Sequence, residues 1–209
     1  MVKKAKRKAH PGDSVVNVSG IEIGAENFCV IAGPCSVESY DQIIYIAQKV
    51  KACGADMLRG GAFKPRTSPY EFQGLGKEGI RLLELAKKET GLPVVSEIVS
   101  ASDIELFENI DMLQVGSRNS QNYELLKELG KTDKPVLLKR GMAQTLNEFI
   151  LSAEYILSGG NENVVLCVRG IHTFSDYMRN TMDVDAVPML KELTHLPLRI
   201  GRASCRERV

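Results

Sequence analysis

The sequence predicts an α/β fold built on a parallel sheet. Short apolar runs rich in β-branched residues alternate with longer amphipathic stretches, and the alternation repeats through six units without a linker or low-complexity segment. Chemistry-bearing residues cluster just past the apolar runs, where parallel α/β folds gather function. A doubly wound open sheet and a (β/α)8 barrel both fit this pattern. The lack of a G-x-G-x-x-G turn after the first run weakens the dinucleotide-binding version of the open sheet.

Before the first unit, Val15–Val18 and Ile21–Ile23 flank Ser19-Gly20 and read as a short N-terminal β-hairpin, suited to plugging the bottom of a barrel. The first run is Phe28–Ala32, followed by helical spacing over Tyr40–Lys51. Ala55–Leu58 comes next, then a long loop, then a helix over Glu78–Glu89. Pro93–Ser96 precedes a helix near Ser102–Glu108, and Asp111–Val115 precedes one over Gln121–Leu129. Pro135–Leu138 leads to Thr145–Leu157, and Asn163–Cys167 leads through a loop to Asp185–Leu193.

The 209-residue length allows one domain with a sizeable core. A net charge of +1 gives no reason to expect nucleic acid as a partner, and no run of 18 apolar residues predicts a membrane span. The basic start, MVKKAKRKAH, lacks the apolar stretch of a secretory signal and reads as a solvated, flexible tail over residues 1–11. Cysteines at 29, 35, 53, 167 and 205 are odd in number and form no C-x-x-C pair, which fits a reducing cytoplasm rather than a disulfide framework.

The first strand ends in Gly33-Pro34-Cys35-Ser36, the second in Arg59-Gly60-Gly61, and the third near Glu97. The fourth ends in Gly116-Ser117-Arg118-Asn119, the fifth in Lys139-Arg140-Gly141, and the sixth in Arg169-Gly170. Arg59, Arg118, Lys139 and Arg169, joined by Lys64 and Arg66 from the loop after the second strand, are expected to converge on one mouth. Such a cluster is costly unless anions neutralise it. Phosphate esters suit arginine forks, and the neighbouring glycines admit backbone N–H groups to the same oxygens. A phosphorylated substrate follows from this pattern alone. A lone arginine after a strand is more often a surface ion pair, a lone Cys35 more often a small buried hydrophobe, and Glu97 could pair with one of the arginines. His10 and His172 have no local partner that suggests chemistry, and His195 is expected to pack or cap.

Five motifs carry a resemblance: IAGPCSVES at 31–39, LRGGAFKPRTSPYEFQGLG at 58–76, QVGSRNSQN at 114–122, KPVLLKRGM at 134–142 and RGIHTFSDYMRNTMDVDAVP at 169–188. Over about residues 10–199 the chain resembles the 3-deoxy-D-arabino-heptulosonate 7-phosphate (DAHP) synthases, in the subgroup related to 3-deoxy-manno-octulosonate 8-phosphate synthases. The octulosonate enzymes carry Lys-Ala-Asn-Arg where this chain has Lys64-Pro65-Arg66-Thr67, which favours erythrose 4-phosphate over arabinose 5-phosphate. The resemblance implies a cytoplasmic homo-oligomer, a tetramer in the complete family protein, with a (β/α)8 barrel fold. It implies condensation of phosphoenolpyruvate with erythrose 4-phosphate, the first step of the shikimate pathway. Arg59, Lys64, Gly116, Ser117, Arg118, Lys139 and Arg169 would hold phosphoenolpyruvate. Lys64, Pro65, Arg66, Thr67 and Ser68 would hold the sugar phosphate. Lys64 and Cys35 would be catalytic, with Cys35 one of four ligands to a divalent metal of the Mn, Fe, Co or Zn class.

The resemblance also implies a histidine, a glutamate and an aspartate as further ligands, beyond the sixth unit, and none is found in this sequence. The barrel is therefore expected to be incomplete, with about six βα units over residues 12–199, exposed edges, poor solubility and no activity. Residues 200–209, IGRASCRERV, show no apolar periodicity and resemble translated sequencing adapter, so they are expected to be a non-native tail. Two other classes remain open: a metal-free Schiff-base aldolase using Lys139 or Lys64, and a non-catalytic phosphate-binding fragment.

Overall fold

The computed structural model describes residues 2–175 and 177–201. The hairpin pairs β1 (Val15–Val18) with β2 (Ile21–Gly24). Val16 and Val18 are buried while Val15 and Asn17 are exposed, the alternation of a strand with one face covered. Its turn has positive φ at both central positions, Ser19 at 50° and Gly20 at 93°. That geometry suits the right-handed twist of the paired strands. Glycine adopts it freely, whereas Ser19 is strained there.

The chain forms two compact units, one of Asn17–Glu22 and Asn27–Gln114, the other of Met1–Val16, Ile23–Glu26 and Val115–Val209. In the first, β3 (Ile31–Ala32), β4 (Met57–Arg59), β5 (Val94–Ile98) and β6 (Met112–Val115) lie in chain order. Ile31 is in parallel register with Met57, and Leu58 with Val94. Between them run α1 (Tyr40–Ala52) and α2 (Lys77–Thr90). Ser39 caps α1 by accepting the Gln42 amide at 3.1 Å. β6 is buried at every position, as expected of a parallel strand covered on both faces.

The helix expected near Ser102–Glu108 is a 3-10 turn, Ala101–Phe107. Only Phe107 of that segment is buried, so there is no apolar stripe to hold an α-helix against the sheet. The longer rise of a 3-10 turn spans the short link to β6 with fewer residues.

The second unit contains α3 (Tyr123–Leu129), β7 (Val136–Lys139), α4 (Leu146–Gly159), β8 (Val164–Val168), α5 (Ala186–Leu193) and β9 (Leu198–Ile200). Lys139 is in parallel register with Cys167, and Cys167 with Arg199. A reciprocal capping box of Thr145 and Glu148 starts α4. Near its end, a Cβ on Gly159 would stand 2.7 Å from the Gly130 backbone, so the approach of α3 and α4 requires glycine.

The six strand–helix units expected are present from β3 to α5, and a further strand follows them: β9 pairs with β8 and takes in Ile200, and the Gly201 amide donates to the Val168 carbonyl at 2.8 Å. The suspected tail thus contributes two residues to regular pairing, while residues 202–209, with Cys205, lie outside the described residues. The basic N-terminal segment is not a solvated tail either. Amides of Lys3, Lys4 and Ala5 donate to the Glu154 carboxylate at 3.0, 2.8 and 2.9 Å, and Ala5 is fully buried. Lys6 bridges Thr194, and His195 joins the Lys4 carbonyl and Ser14 hydroxyl. His195 therefore packs, as expected. Among the described residues, no helix is long and apolar enough to cross a membrane.

In the first unit, Asp111 ties the hairpin turn to the sheet. Its carboxylate accepts Ser19 Oγ at 2.5 Å, Lys87 Nζ at 2.8 Å and the Val94 amide at 2.7 Å. Burial pushes its pKa up, but Lys87, Ser19 and the Val94 amide pull it below the ordinary carboxylate value. A depressed folded pKa contributes stability above the unfolded pKa, and that contribution is lost as pH falls through the folded value. Asp111→Ala should lower unfolding free energy at neutral pH by about 1–3 kcal/mol. A shifted urea midpoint at constant slope checks this, and the deficit relative to native should shrink as the solution is acidified through the Asp111 titration.

Candidate functional site

In the first unit the strand ends are locked together by backbone proximity. Gly33 has φ of 148°, and a Cβ there would stand 2.0 Å from the Arg59 carbonyl oxygen. The turn after β3 can therefore lie flat against the end of β4. From that position the Pro34 and Cys35 carbonyls accept Arg59 Nη1 at 3.1 and 2.9 Å. Arg59 Nε donates to Gln114 Oε1 at 3.3 Å, Gln114 Nε2 donates to Glu97 Oε2 at 2.7 Å, and Glu97 lies 3.7 Å from Arg59 Nη2. The guanidinium is thus oriented by two carbonyls, an amide and a carboxylate, and the Glu97 pairing anticipated from the sequence is present.

Lys64 Nζ reaches Cys35 Sγ at 2.9 Å. Burial pushes the Cys35 thiol up, but the Lys64 hydrogen bond and charge, with Arg59 behind them, outweigh it and lower the pKa below the ordinary thiol value. The thiol is exposed to solvent, so part of this attraction is screened. The sugar-phosphate candidates follow on one excursion of the chain, closed where Phe63 bridges Gly74 and the Gly76 amide donates to the Ala62 carbonyl at 3.0 Å. Arg66 sits there near the Glu71 carboxylate at 3.9 Å and donates from Nε to the Phe72 carbonyl at 3.3 Å. Pro65, Thr67 and Ser68 continue the same excursion, where Ser68 Oγ accepts the Tyr70 amide at 3.3 Å.

In the second unit, Gly116 precedes a 3-10 turn, Ser117–Asn119, which carries Ser117 and an exposed Arg118. Arg169, buried at the end of β8, donates from Nη1 to Ser117 Oγ at 3.0 Å and from Nε to the Gly170 carbonyl at 2.9 Å. Lys139 ends β7, half-buried. Each predicted residue therefore lies at a strand end or on the loop after β4, as the sequence placed it.

Sequence reasoning gave no role to Gln114, Arg140, Gln144 or Asp183. Gln114 is the one polar residue of the wholly buried strand MLQV, and that misfit was its signal. Arg140 follows Lys139 directly, and successive side chains along a strand point to opposite faces, so the two cations were not expected to serve one site. Among the described residues no three His, Cys, Asp or Glu side chains gather as a metal-ligand set. A thiolate suits a soft divalent metal, but Cys35 is one donor, so the residues in hand do not complete such a site.

The comparisons first fix a class. The crystal structure of the phospho-2-dehydro-3-deoxyheptonate aldolase (DAHP synthase) of Thermotoga maritima matches with a TM-score of 0.90 at 44% identity, over 95% of this chain and 58% of that one. A truncated form of the 3-deoxy-D-arabino-heptulosonate 7-phosphate synthase from the same organism matches with a TM-score of 0.85 at 41% identity, over 94% and 71%. The fold is accordingly α/β, an incomplete (β/α)8-type barrel with a small N-terminal hairpin. In sequence, the Thermotoga maritima phospho-2-dehydro-3-deoxyheptonate aldolase is 46% identical over 199 residues, and a 2-dehydro-3-deoxyphosphooctonate aldolase of Syntrophobacter fumaroxidans 30% identical over 183. This chain spans 59% and 63% of those two proteins. The model of the DAHP synthetase I family matches residues 5–201, and the chain belongs to that family.

The Cys35–Lys64 contact has a direct readout. Alkylation of Cys35 by iodoacetamide, followed by peptide mass spectrometry across pH, should reach half its maximal rate below the pH of an ordinary thiol. Lys64→Met should move that midpoint upward, because it removes the hydrogen bond and the nearest charge while leaving the burial. An unmoved midpoint in the variant would show that Lys64 does not set the thiol's ionisation.

Proposed function

We propose that the protein acts as a DAHP synthase, condensing phosphoenolpyruvate with D-erythrose 4-phosphate and water to give DAHP and phosphate. The observation that carries this reading is Arg169, a buried guanidinium at the end of β8 whose Nη1 shares the Ser117 hydroxyl, in a chain 46% identical to a phospho-2-dehydro-3-deoxyheptonate aldolase. A buried cation of this kind is stabilised by an anionic ligand, and a phosphate accepts its fork in a bidentate manner.

In the reaction, the C2=C3 electron pair of phosphoenolpyruvate forms the new bond from C3 to the aldehyde carbon. The aldehyde oxygen takes a proton, and the oxygen of water bonds to C2 and gives one up. The bond from C2 to the phosphate oxygen then breaks as the new C2 hydroxyl passes its proton to the departing phosphate, leaving the C2 ketone and inorganic phosphate. Arg118, Lys139 and Arg169, with Ser117 and the Gly116 backbone, are assigned to phosphoenolpyruvate. Arg59 and Lys64 share its charge, and Lys64 to Ser68 are assigned to the sugar phosphate. Their task is to hold anions in register and to neutralise charge as it moves. Cys35 is assigned as a ligand to a divalent metal whose remaining ligands are not gathered among the described residues, so no step is derived through it. The working state is assigned as a cytoplasmic homo-oligomer.

Arg169→Ala should weaken phosphoenolpyruvate binding, measured calorimetrically, by ten- to a hundredfold, or roughly 1.5–3 kcal/mol for a charge-assisted bond. Normal affinity in a folded variant removes Arg169 from the site. The sugar is tested separately, in a chain extended to the full length of its relatives so that the missing metal ligands are supplied: erythrose 4-phosphate should turn over faster than arabinose 5-phosphate, given Pro65 and Arg66. The reverse order would favour the octulosonate reaction, the activity named for the 30%-identical relative.

A further inference from the structure

Three loops of the second unit carry its proposed ligands: the 3-10 turn after β6 with Ser117 and Arg118, the turn after β7 that begins at Lys139, and the loop after β8 that begins at Arg169. A separate set of side chains, none of them assigned to a ligand, links all three. Gln144 is its hub. Its Oε1 accepts Ser120 Oγ from the first loop and the Gly141 amide from the second, each at 2.8 Å, and its Nε2 donates to Ser152 Oγ on α4 at 2.8 Å. Arg140, buried beside Lys139, donates from Nε to the Gln144 carbonyl at 2.9 Å and from Nη1 to Asp183 Oδ2 at 2.6 Å.

Asp183 lies at the far end of the loop after β8. Ile171 and Thr181 close that loop on itself with backbone bonds of 2.8 and 2.9 Å, and the His172 amide donates to the Met142 carbonyl at 2.9 Å. Fixing Asp183 therefore fixes the loop's return leg, while Arg169 begins its outgoing leg. Ser120, Gln144 and Arg140 are each at most 5% exposed. A buried, fully satisfied polar chain of this type is rigid, and losing one member strands its neighbours without partners.

We infer that Ser120, Gln144, Arg140 and Asp183 form a positioning brace that holds Ser117, Lys139 and Arg169 in the arrangement a phosphate-bearing ligand requires. Its consequence for affinity rests on the proposed reading of those strand ends as a phosphoenolpyruvate site; the bracing does not. Arg140 is thereby separated in role from the adjacent Lys139: one cation serves the ligand, the other the scaffold. The Arg140–Asp183 pair suits a brace because its charge-assisted bond is geometrically exacting and shielded on the arginine side, with side-chain exposures of 7% and 25%.

The test measures phosphoenolpyruvate affinity by calorimetry and amide hydrogen exchange residue by residue, in the full chain. Asp183→Ala should weaken phosphoenolpyruvate binding by about tenfold, should lower the melting temperature because it strands the buried Arg140, and should speed exchange by about tenfold not only at Ile171 and Thr181 but at Asn119, in a loop it does not belong to. Asp183→Asn, which keeps an acceptor for Arg140, should recover most of the affinity and of the slow exchange. A folded alanine variant with native affinity, or faster exchange confined to residues 171–185, overturns the brace. If Asp183→Ala fails to fold, Ser120→Ala decides by the same two readouts, with remote exchange then read at Ile171 and Thr181. If the unaltered chain does not bind phosphoenolpyruvate, the site reading falls, and spread or confinement of the exchange decides the brace alone.

Discussion

The turn after β3 lies so close to β4 that no side chain fits at Gly33, and much of the first unit's chemistry follows from that contact. Because the backbone of Gly33 rests on the Arg59 carbonyl, the next two carbonyls, of Pro34 and Cys35, face the Arg59 guanidinium. Because they face it, Arg59 is aimed without spending a second carboxylate, and Glu97 and Gln114 complete its orientation. The same turn sets Cys35 where Lys64 can reach its sulfur. A methyl group at residue 33 would push the two strand ends apart and undo these contacts together, since the clash is with backbone and not with a side chain that could swing away.

The second unit meets the cost of buried cations differently. Arg169 and Arg140 are both nearly inaccessible to water, a state that is unfavourable for a charge without partners. Arg140 is neutralised from within the chain by Asp183, and Arg169 donates to the Ser117 hydroxyl and the Gly170 carbonyl. The bond to Asp183 ties the end of β7 to the loop after β8, so Arg140 belongs to the framework of its unit.

Much of this was legible in the residues. The alternation of apolar runs and amphipathic stretches placed every strand from Ile31 to Val168, because parallel strands buried on both faces read as continuous apolar runs. Strand-end residues Arg59, Ser117, Lys139 and Arg169 were visible for the same reason: each directly follows such a run. β9 was not legible. Leu198–Ile200 is too short for periodicity, and it becomes a strand only because β8 offers it a backbone ladder. The N-terminal segment misled for a related reason. Its lysines suggest solvent, but its structure comes from backbone amides, which composition does not report. Gln144 and Asp183 are unremarkable polar residues until folding brings their loops together, so their pairing was beyond any local pattern.

The hold of Glu154 on residues 3–5 bears on how this segment resists proteolysis. Proteases need an extended segment laid into their own cleft, with its amides free to pair with the enzyme. Here the amides of three successive residues are already committed to one carboxylate, and the last of them, Ala5, lies beneath the surface. Lys4 adds a second grip by donating its ammonium to the Leu157 carbonyl at 3.0 Å. A protease must first peel this segment from α4, so the peptide bonds between residues 3 and 5 are held out of its reach while the fold persists.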